Sequence, residues 1–475
     1  MTRNIVKHYL GKMNRRILVF LFITLVCLFS CEKNANPQVL HLASTINKSV
    51  ELDYLLYLPY LYDENSQWPL VLYLTGNEAV GDIDRIRAQG PPAHIEGGME
   101  NNFFLLAPQL PGDVHWDAEG LMVLLNKIKE DYPIDSGRIY VTGSGDRGGW
   151  GTWDVATSYP DYFSRIAPVS APACTEICRV GKGAIVIYHG AKDQMAPLAD
   201  AENMHFELDY YCKSDVQLKI YPEGNHEIAD SVYSDPDFWN WFADSYEVKQ
   251  NSTQQPMVGH FRSALTREVE DNYLLYLPMG YKKQENWPLV LFLHGSGSAI
   301  DDIEKIRTVG PPKVFESGRS SEFIGLAPQL HDNVPWDVER VYEILKYVSA
   351  EYRVDPDRVY VTGLSRGGFG TWELAVSHPH TFAAVAPIAA RDVPGIERLK
   401  DTNIWIFHGH EDDGVPWQGS QFMFNRLKAV GANVQFSLLE GVGHDAWDPA
   451  YENDEFWEWL LSQSLEDEKV VSDDI

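Results

Sequence analysis

The chain has 475 residues, of which 44% are apolar, 23% charged and 12% aromatic, enough for two or three domains with their own cores and too apolar for a disordered polymer. Its formal charge of −29 argues against nucleic acid or an anionic membrane surface as a partner of the folded part, and reads most simply as a solvated acidic exterior.

Residues 1–31 carry Arg3, Lys7, Lys12, Arg15 and Arg16 and no acidic group. Arg15-Arg16 precede a 13-residue apolar run, Ile17 to Phe29, shorter than a comfortable membrane span. Basic-then-apolar is the layout of an export signal, and Met13 onward already contains it in full. Leu28-Phe29-Ser30-Cys31 resembles the box at which a lipoprotein signal is cut before a cysteine that then carries lipid. Lipid on Cys31 would tether the protein to a bacterial membrane, on its periplasmic face or at the cell surface, without embedding the fold. A plain secretory signal is the alternative. Of the remaining cysteines, Cys27 leaves with the signal, and an oxidising compartment permits one disulfide among Cys174, Cys178 and Cys212.

The rest of the chain reads as two copies of one unit. Tyr54 to Pro59 (YLLYLP) recurs as Tyr273 to Pro278, and Trp68 to Leu74 recurs with one change as Trp287 to Leu293. Gly90-Pro91-Pro92, Ala107 to Leu110, Arg138 to Gly143 and His189-Gly190 recur as Gly310-Pro311-Pro312, Ala327 to Leu330, Arg358 to Gly363 and His408-Gly409, at an offset of 218 to 220. So long a period means tandem domains and not a solenoid. They are expected at 38–248 and 257–467, with 249–256 as the linker. In the second copy, apolar runs at 289–293, 323–327, 358–362, 383–387, 404–407 and 434–438 read as buried strands. Helical spacing fills 338–352, 368–377 and 417–430. This alternation predicts an α/β fold in each copy, a mainly parallel sheet with helices on both faces.

Gly363-Leu364-Ser365-Arg366-Gly367 is a G-x-S-x-G elbow after a predicted strand and before a predicted helix. A nucleophilic Ser365 needs that tight turn to lift its hydroxyl off the sheet edge, and flanking glycines remove the Cβ clashes. Downstream, the loop after strand 404–407 carries Asp412 and Asp413. Asp412 is preferred as the acid because Asp193 holds the matching place in the first copy. His444, after the next strand, is the candidate base, completing the order nucleophile, acid, histidine. An oxyanion hole requires two backbone amides: that of Arg366 directly after the serine, and one from Leu293-His294-Gly295-Ser296-Gly297, at Ser296 or Gly295. His408 reads as strand-end packing.

The second copy, over nearly all of 257–467, resembles the esterase and predicted-peptidase branch of the α/β-hydrolases. It is similar to poly(hydroxybutyrate) depolymerase-like, acetylxylan and feruloyl esterases. The resemblance rests on the His294 to Gly297 loop, Gly310-Pro311-Pro312, Ala327-Pro328-Gln329, Trp336, the elbow, His408 to Asp412 with Val415-Pro416, and Gly443 to Trp447. It implies a serine hydrolase acting on carboxylic esters through an acyl-enzyme on Ser365, with acyl groups on carbohydrate as the expected substrate. A peptidase or lipid esterase of the same fold, or a glycan-binding protein without catalysis, are the competing readings. Gln329, Trp336 and Trp447 are candidates for lining the substrate pocket, or equally for packing. No metal cluster, phosphate loop or dinucleotide fingerprint calls for a cofactor.

In the first copy the elbow reads Gly143-Ser144-Gly145-Asp146-Arg147-Gly148-Gly149, one residue longer and without the serine. Counting from the left puts Gly145 in its place, and counting from the right puts Asp146 there. Thr75 stands for His294 and Asn77-Glu78 for Ser296-Gly297, while Asp193 and His226 remain at the acid and base positions. A non-catalytic copy is expected; a displaced nucleophile at Ser144 or a carboxylate nucleophile at Asp146 are the alternatives.

Overall fold

The computed structural model describes residues 37–112, 115–174, 177–243, 247–248, 254–297, 302–317, 322–330, 335–391 and 393–465. The export signal with Cys31, and the linker residues 249–253, lie outside them. Fourteen strands form one sheet. In chain order they are β1 (Gln38–Tyr57), β2 (Trp68–Leu74), β3 (Phe104–Pro108), β4 (Ile134–Ser144), β5 (Arg165–Val169), β6 (Ala184–Gly190) and β7 (Val216–Tyr221), then β8 (Met257–Tyr276), β9 (Trp287–Leu293), β10 (Ile324–Pro328), β11 (Val354–Leu364), β12 (Ala384–Ile388), β13 (Asn403–Gly409) and β14 (Val434–Leu439). Across the sheet the order is β14-β13-β12-β11-β9-β10-β8-β1-β3-β2-β4-β5-β6-β7, so each half repeats the other outward from the centre.

Within each half the strands beyond the first are parallel. The inner ones are apolar runs such as Leu70 to Leu74 and Leu289 to Leu293, buried because helices cover both faces, while the edge strands β7 and β14 are only partly buried. Crossover helices α1 (Ala118–Asp131), α2 (Gly145–Ser158) and α3 (Leu198–Phe206) in the first half match α4 (Val338–Glu351), α5 (Arg366–Ser377) and α6 (Gln418–Ala429) in the second. Core Leu and Ile side chains gather in one apolar cluster on each face of each half.

The sheet is mainly parallel, as expected, and the exception is its centre. β1 and β8, each 20 residues long, pair antiparallel along almost their whole length, from Gln38 opposite Leu275 to Leu56 opposite Met257. Much of both strands alternates exposed and more buried positions, the signature of a sheet wet on one face. The register sets Asn47 opposite Thr266, residues 219 apart in sequence, and their side chains hydrogen-bond at 3.0 Å. Equivalent positions therefore face each other across a local two-fold, and the two halves share one sheet.

That packing leaves a cavity of about 830 Å³ between the halves, lined among others by His115, Trp150 and Asp154 from the first and Trp336, Phe369 and Glu373 from the second. Cys178 and Cys212 form a disulfide, and Cys174 is buried and takes no part in one. Among the described residues no helix is long and apolar enough to cross a membrane.

Candidate active site

β11 ends at Leu364 and α5 begins at Arg366, so Ser365 must reverse the chain in a single residue. It does so at φ 52°, ψ −120°, backbone that a side chain seldom adopts. The turn closes only because its glycines are bare. A Cβ on Gly363 would lie 2.2 Å from Gly367 O, and one on Gly367 would lie 1.8 Å from Leu293 O. Ser365 N donates to Ile388 O at 2.9 Å, which ties the strained residue to β12.

The three sequence-predicted residues meet here. Ser365 Oγ lies 2.8 Å from His444 Nε2, and His444 Nδ1 lies 2.7 Å from Asp412 Oδ2. Oδ1 of the same carboxylate accepts the amides of Gly414 at 2.9 Å and Val415 at 2.8 Å. Burial alone would raise the Asp412 carboxyl. Hydrogen bonds from His408, His444 and the Val415 amide overcome it and hold the group well below the usual carboxylate range. Its neighbour Asp413 takes no part in these contacts.

The loop after β9 runs against Ser365: a Cβ on Gly295 would lie 3.4 Å from Ser365 Cβ. His294, fully buried, braces this loop. Its Nδ1 faces Gly295 O at 2.8 Å, and its Nε2 accepts the Leu330 amide at 3.0 Å, which fixes the ring as the Nδ1–H tautomer. Trp336 Nε1 donates to His294 O at 3.3 Å. Across the site, the first hydrogen bond of α5 runs from Phe369 N to Ser365 O, so the Arg366 amide precedes the helical ladder and stands at the positive end of the helix.

The three pocket candidates lie in different settings. Trp447 stands edge-on to the His444 ring, centroids 5.3 Å apart, next to the reacting atoms. Trp336 is buried, stands edge-on to His294, and reaches the cavity between the halves. Gln329 is buried at the end of β10, its amide held by Asn272 O at 2.9 Å.

Two residues have roles that the sequence did not announce, His408 and Ser420. His408 does more than pack: its Nε2 lies 3.2 Å from Asp412 Oδ2 and 2.8 Å from Val415 O, and its Nδ1 lies 2.7 Å from Ser420 Oγ. Only its place four residues before the acid signalled this. Ser420, on α6, carried no signal.

In the first half, Gly145 occupies the turn, at φ 72°, and a Cβ there would lie 3.4 Å from His226 Nε2. Of the two alignments, the count from the left fits. Asp146 is the first-turn residue beyond it and is buried, with Oδ1 3.6 Å from His226 Nε2 and Oδ2 3.5 Å from Arg426 Nη2 of the second half. Burial raises the Asp146 carboxyl, against the pull of Arg426 and His226. His226 Nδ1 still meets Asp193 Oδ2 at 2.8 Å. Thr75, in the place of His294, is buried with its hydroxyl unpartnered, so this loop lacks the imidazole brace. The Glu78 side chain, expected where an oxyanion would form, lies outside the described residues.

Poly(3-hydroxyalkanoate) depolymerase C of Paucimonas lemoignei is 35% identical over 205 residues, 40% of this chain and 48% of that protein. Over that stretch the chain is similar to esterases. A probable feruloyl esterase C of Aspergillus terreus is 26% identical over 162 residues, 33% of this chain and 60% of its own. The chain thus spans about half to three-fifths of the length of these curated relatives. No family model matches it. Among solved structures, a thermostable esterase aligns at 29% identity and TM-score 0.37, covering 45% of this chain and 69% of that one. A ferulic acid esterase of Anaeromyces mucronatus aligns at 17% and 0.32, covering 41% and 85%.

Proposed function

We propose that this α/β-hydrolase is a serine hydrolase of carboxylic esters with one active site, at Ser365, Asp412 and His444. The observation that carries the reading is a seryl oxygen on a strained elbow, 2.8 Å from an imidazole that a buried carboxylate holds from behind. Ser365 Oγ attacks the ester carbonyl as its proton passes to His444 Nε2, and the developing oxyanion turns to the amides of Arg366 and of Gly295 or Ser296. His444 returns the proton to the leaving alcohol. Water, deprotonated by the same imidazole, then releases the acid from the acyl-enzyme. Asp412, already anionic, steadies the imidazolium in both halves of the cycle.

Acyl groups on carbohydrate are the proposed substrates, with Trp447, edge-on to His444, an aromatic side chain beside the site for a ring to meet. Support comes from relatives named feruloyl esterase and from a bifunctional acetylxylan esterase/xylanase of Neocallimastix patriciarum, 31% identical over 83 residues. Residues 38–248 are proposed as a duplicated, non-catalytic domain beside the catalytic domain at 257–467. At its elbow Gly145 supplies no nucleophile, and Asp146, paired with Arg426 of the second half, faces the His226 imidazole. Export and a lipid anchor on Cys31 complete the proposal.

A fluorophosphonate ester tests the assignment of the nucleophile. It is expected to phosphonylate Ser365, as mapped by peptide mass spectrometry, and to abolish ester turnover at one equivalent. An adduct on Ser144, or full activity after Ser365 is labelled, overturns it.

A further inference from the structure

We infer that Ser420 and His408 form a positioning pair that aims Asp412 at His444, an inference that rests on the proposed function. Val415 O can only accept, so Nε2 of His408, 2.8 Å away, carries a proton that also reaches Asp412 Oδ2 at 3.2 Å. His408 Nδ1 lies 2.7 Å from Ser420 Oγ, so the hydroxyl holds the second edge of the ring. Ser420 Oγ in turn donates to Ala390 O at 2.9 Å, which fixes the hydroxyl in place. His408 and Ser420 are both fully buried, so water offers no substitute partner. Asp412 Oδ2 thus stands between two imidazole N–H groups, while Oδ1 is held by two backbone amides, and the carboxylate has no freedom to swing away from His444.

The chain contains its own control. His189 matches His408 and likewise meets a carbonyl, Ala196 O, at 2.8 Å through Nε2. Ala201 stands where Ser420 would be, and His189 Nδ1 is buried without a partner. There the distance from the imidazole Nε2 to the acid, Asp193 Oδ2, is 3.6 Å instead of 3.2 Å. The half with the serine nucleophile keeps the hydroxyl, and the half without it has lost both. Burial lowers the affinity of His189 for a second proton, in keeping with an imidazole that nothing drives beyond its structural bond.

The test is a double-mutant cycle on the mature protein with p-nitrophenyl acetate. Ser420→Ala, a residue the first half already tolerates at this position, is expected to lower kcat about 10-fold with KM unchanged. In an Asp412→Asn background the same substitution is expected to cost less than about 2-fold, because its effect runs through the carboxylate. An unchanged kcat in Ser420→Ala, or an equal loss in the Asp412→Asn background, overturns the pair. If the wild type cleaves no ester, the proposed function fails instead, and the pair is read from the low-field Nδ1–H proton resonance of His444. That resonance shifts in Ser420→Ala if the pair aims Asp412; an unmoved resonance overturns the inference.

Discussion

At Gly145 the difference between the two halves comes down to one side chain. The turn, the acid and the base are in place, and a Cβ at Gly145 would sit 3.4 Å from His226 Nε2. A serine there still would not make an active site. Asp146 and Arg426 crowd the imidazole, and Thr75 cannot brace an oxyanion loop as His294 does. Gly145→Ser in a Ser365→Ala background is therefore expected to leave ester turnover at the level of Ser365→Ala alone, and a rise of more than about 10-fold would contradict this reading. For the same reason Asp146→Ala is expected to keep turnover within about 3-fold of wild type, measured on the same ester. Ser365, Asp412 and His444 were legible because spacing around an elbow and chain order are linear features. Ser420 was not, because its partner lies across a strand and a loop, and nothing in a lone serine on a helix announces it.

At the scale of elements, α6 links the two halves. Its Ser420 faces His408, and its Arg426 reaches out to Glu397 at 2.6 Å and to Asp146 at 3.5 Å. The first half thereby uses its relic elbow as a seat for the second. Removing the guanidinium by Arg426→Ala leaves Asp146 buried beside His226 without its cation. A fall in Tm of a few degrees is expected, with kcat within about 3-fold, read by calorimetry and ester turnover. An unchanged Tm would show that the contact holds nothing. The parallel strands and their crossover helices could be read from apolar runs and helical spacing. β1 and β8 could not: their alternation is that of an ordinary half-exposed strand, and it does not say which strand it pairs with.

At the scale of the whole molecule, equivalent residues meet near a local two-fold, and some of them are costly to bring together. Asp154 and Glu373 occupy matching positions on α2 and α5 and both line the cavity between the halves. Burial, with Asp154 nearby, pushes the Glu373 carboxyl up to about 8, and burial pushes Asp154 up to about 7. In the unfolded chain both ionise near pH ~4. Between that pH and the folded values the unfolded state binds fewer protons, so stability falls as pH rises. Tm is expected to drop from pH 5 to pH 8, and Glu373→Gln to make that drop shallower; an unchanged slope would contradict it. The repeated segments at a near-constant offset were legible in the sequence, but the shared sheet and this cavity arise from packing between the halves.

The central claim is a single serine active site in a chain with two hydrolase-like halves. Residues 32–475, wild type and Ser365→Ala, would be assayed side by side on p-nitrophenyl acetate, on feruloylated and acetylated xylan fragments and on a peptide anilide. Ester cleavage by the wild type, no anilide cleavage, and a loss of at least about 10³-fold in kcat in Ser365→Ala are expected. Equal turnover by the two proteins on every ester would contradict it.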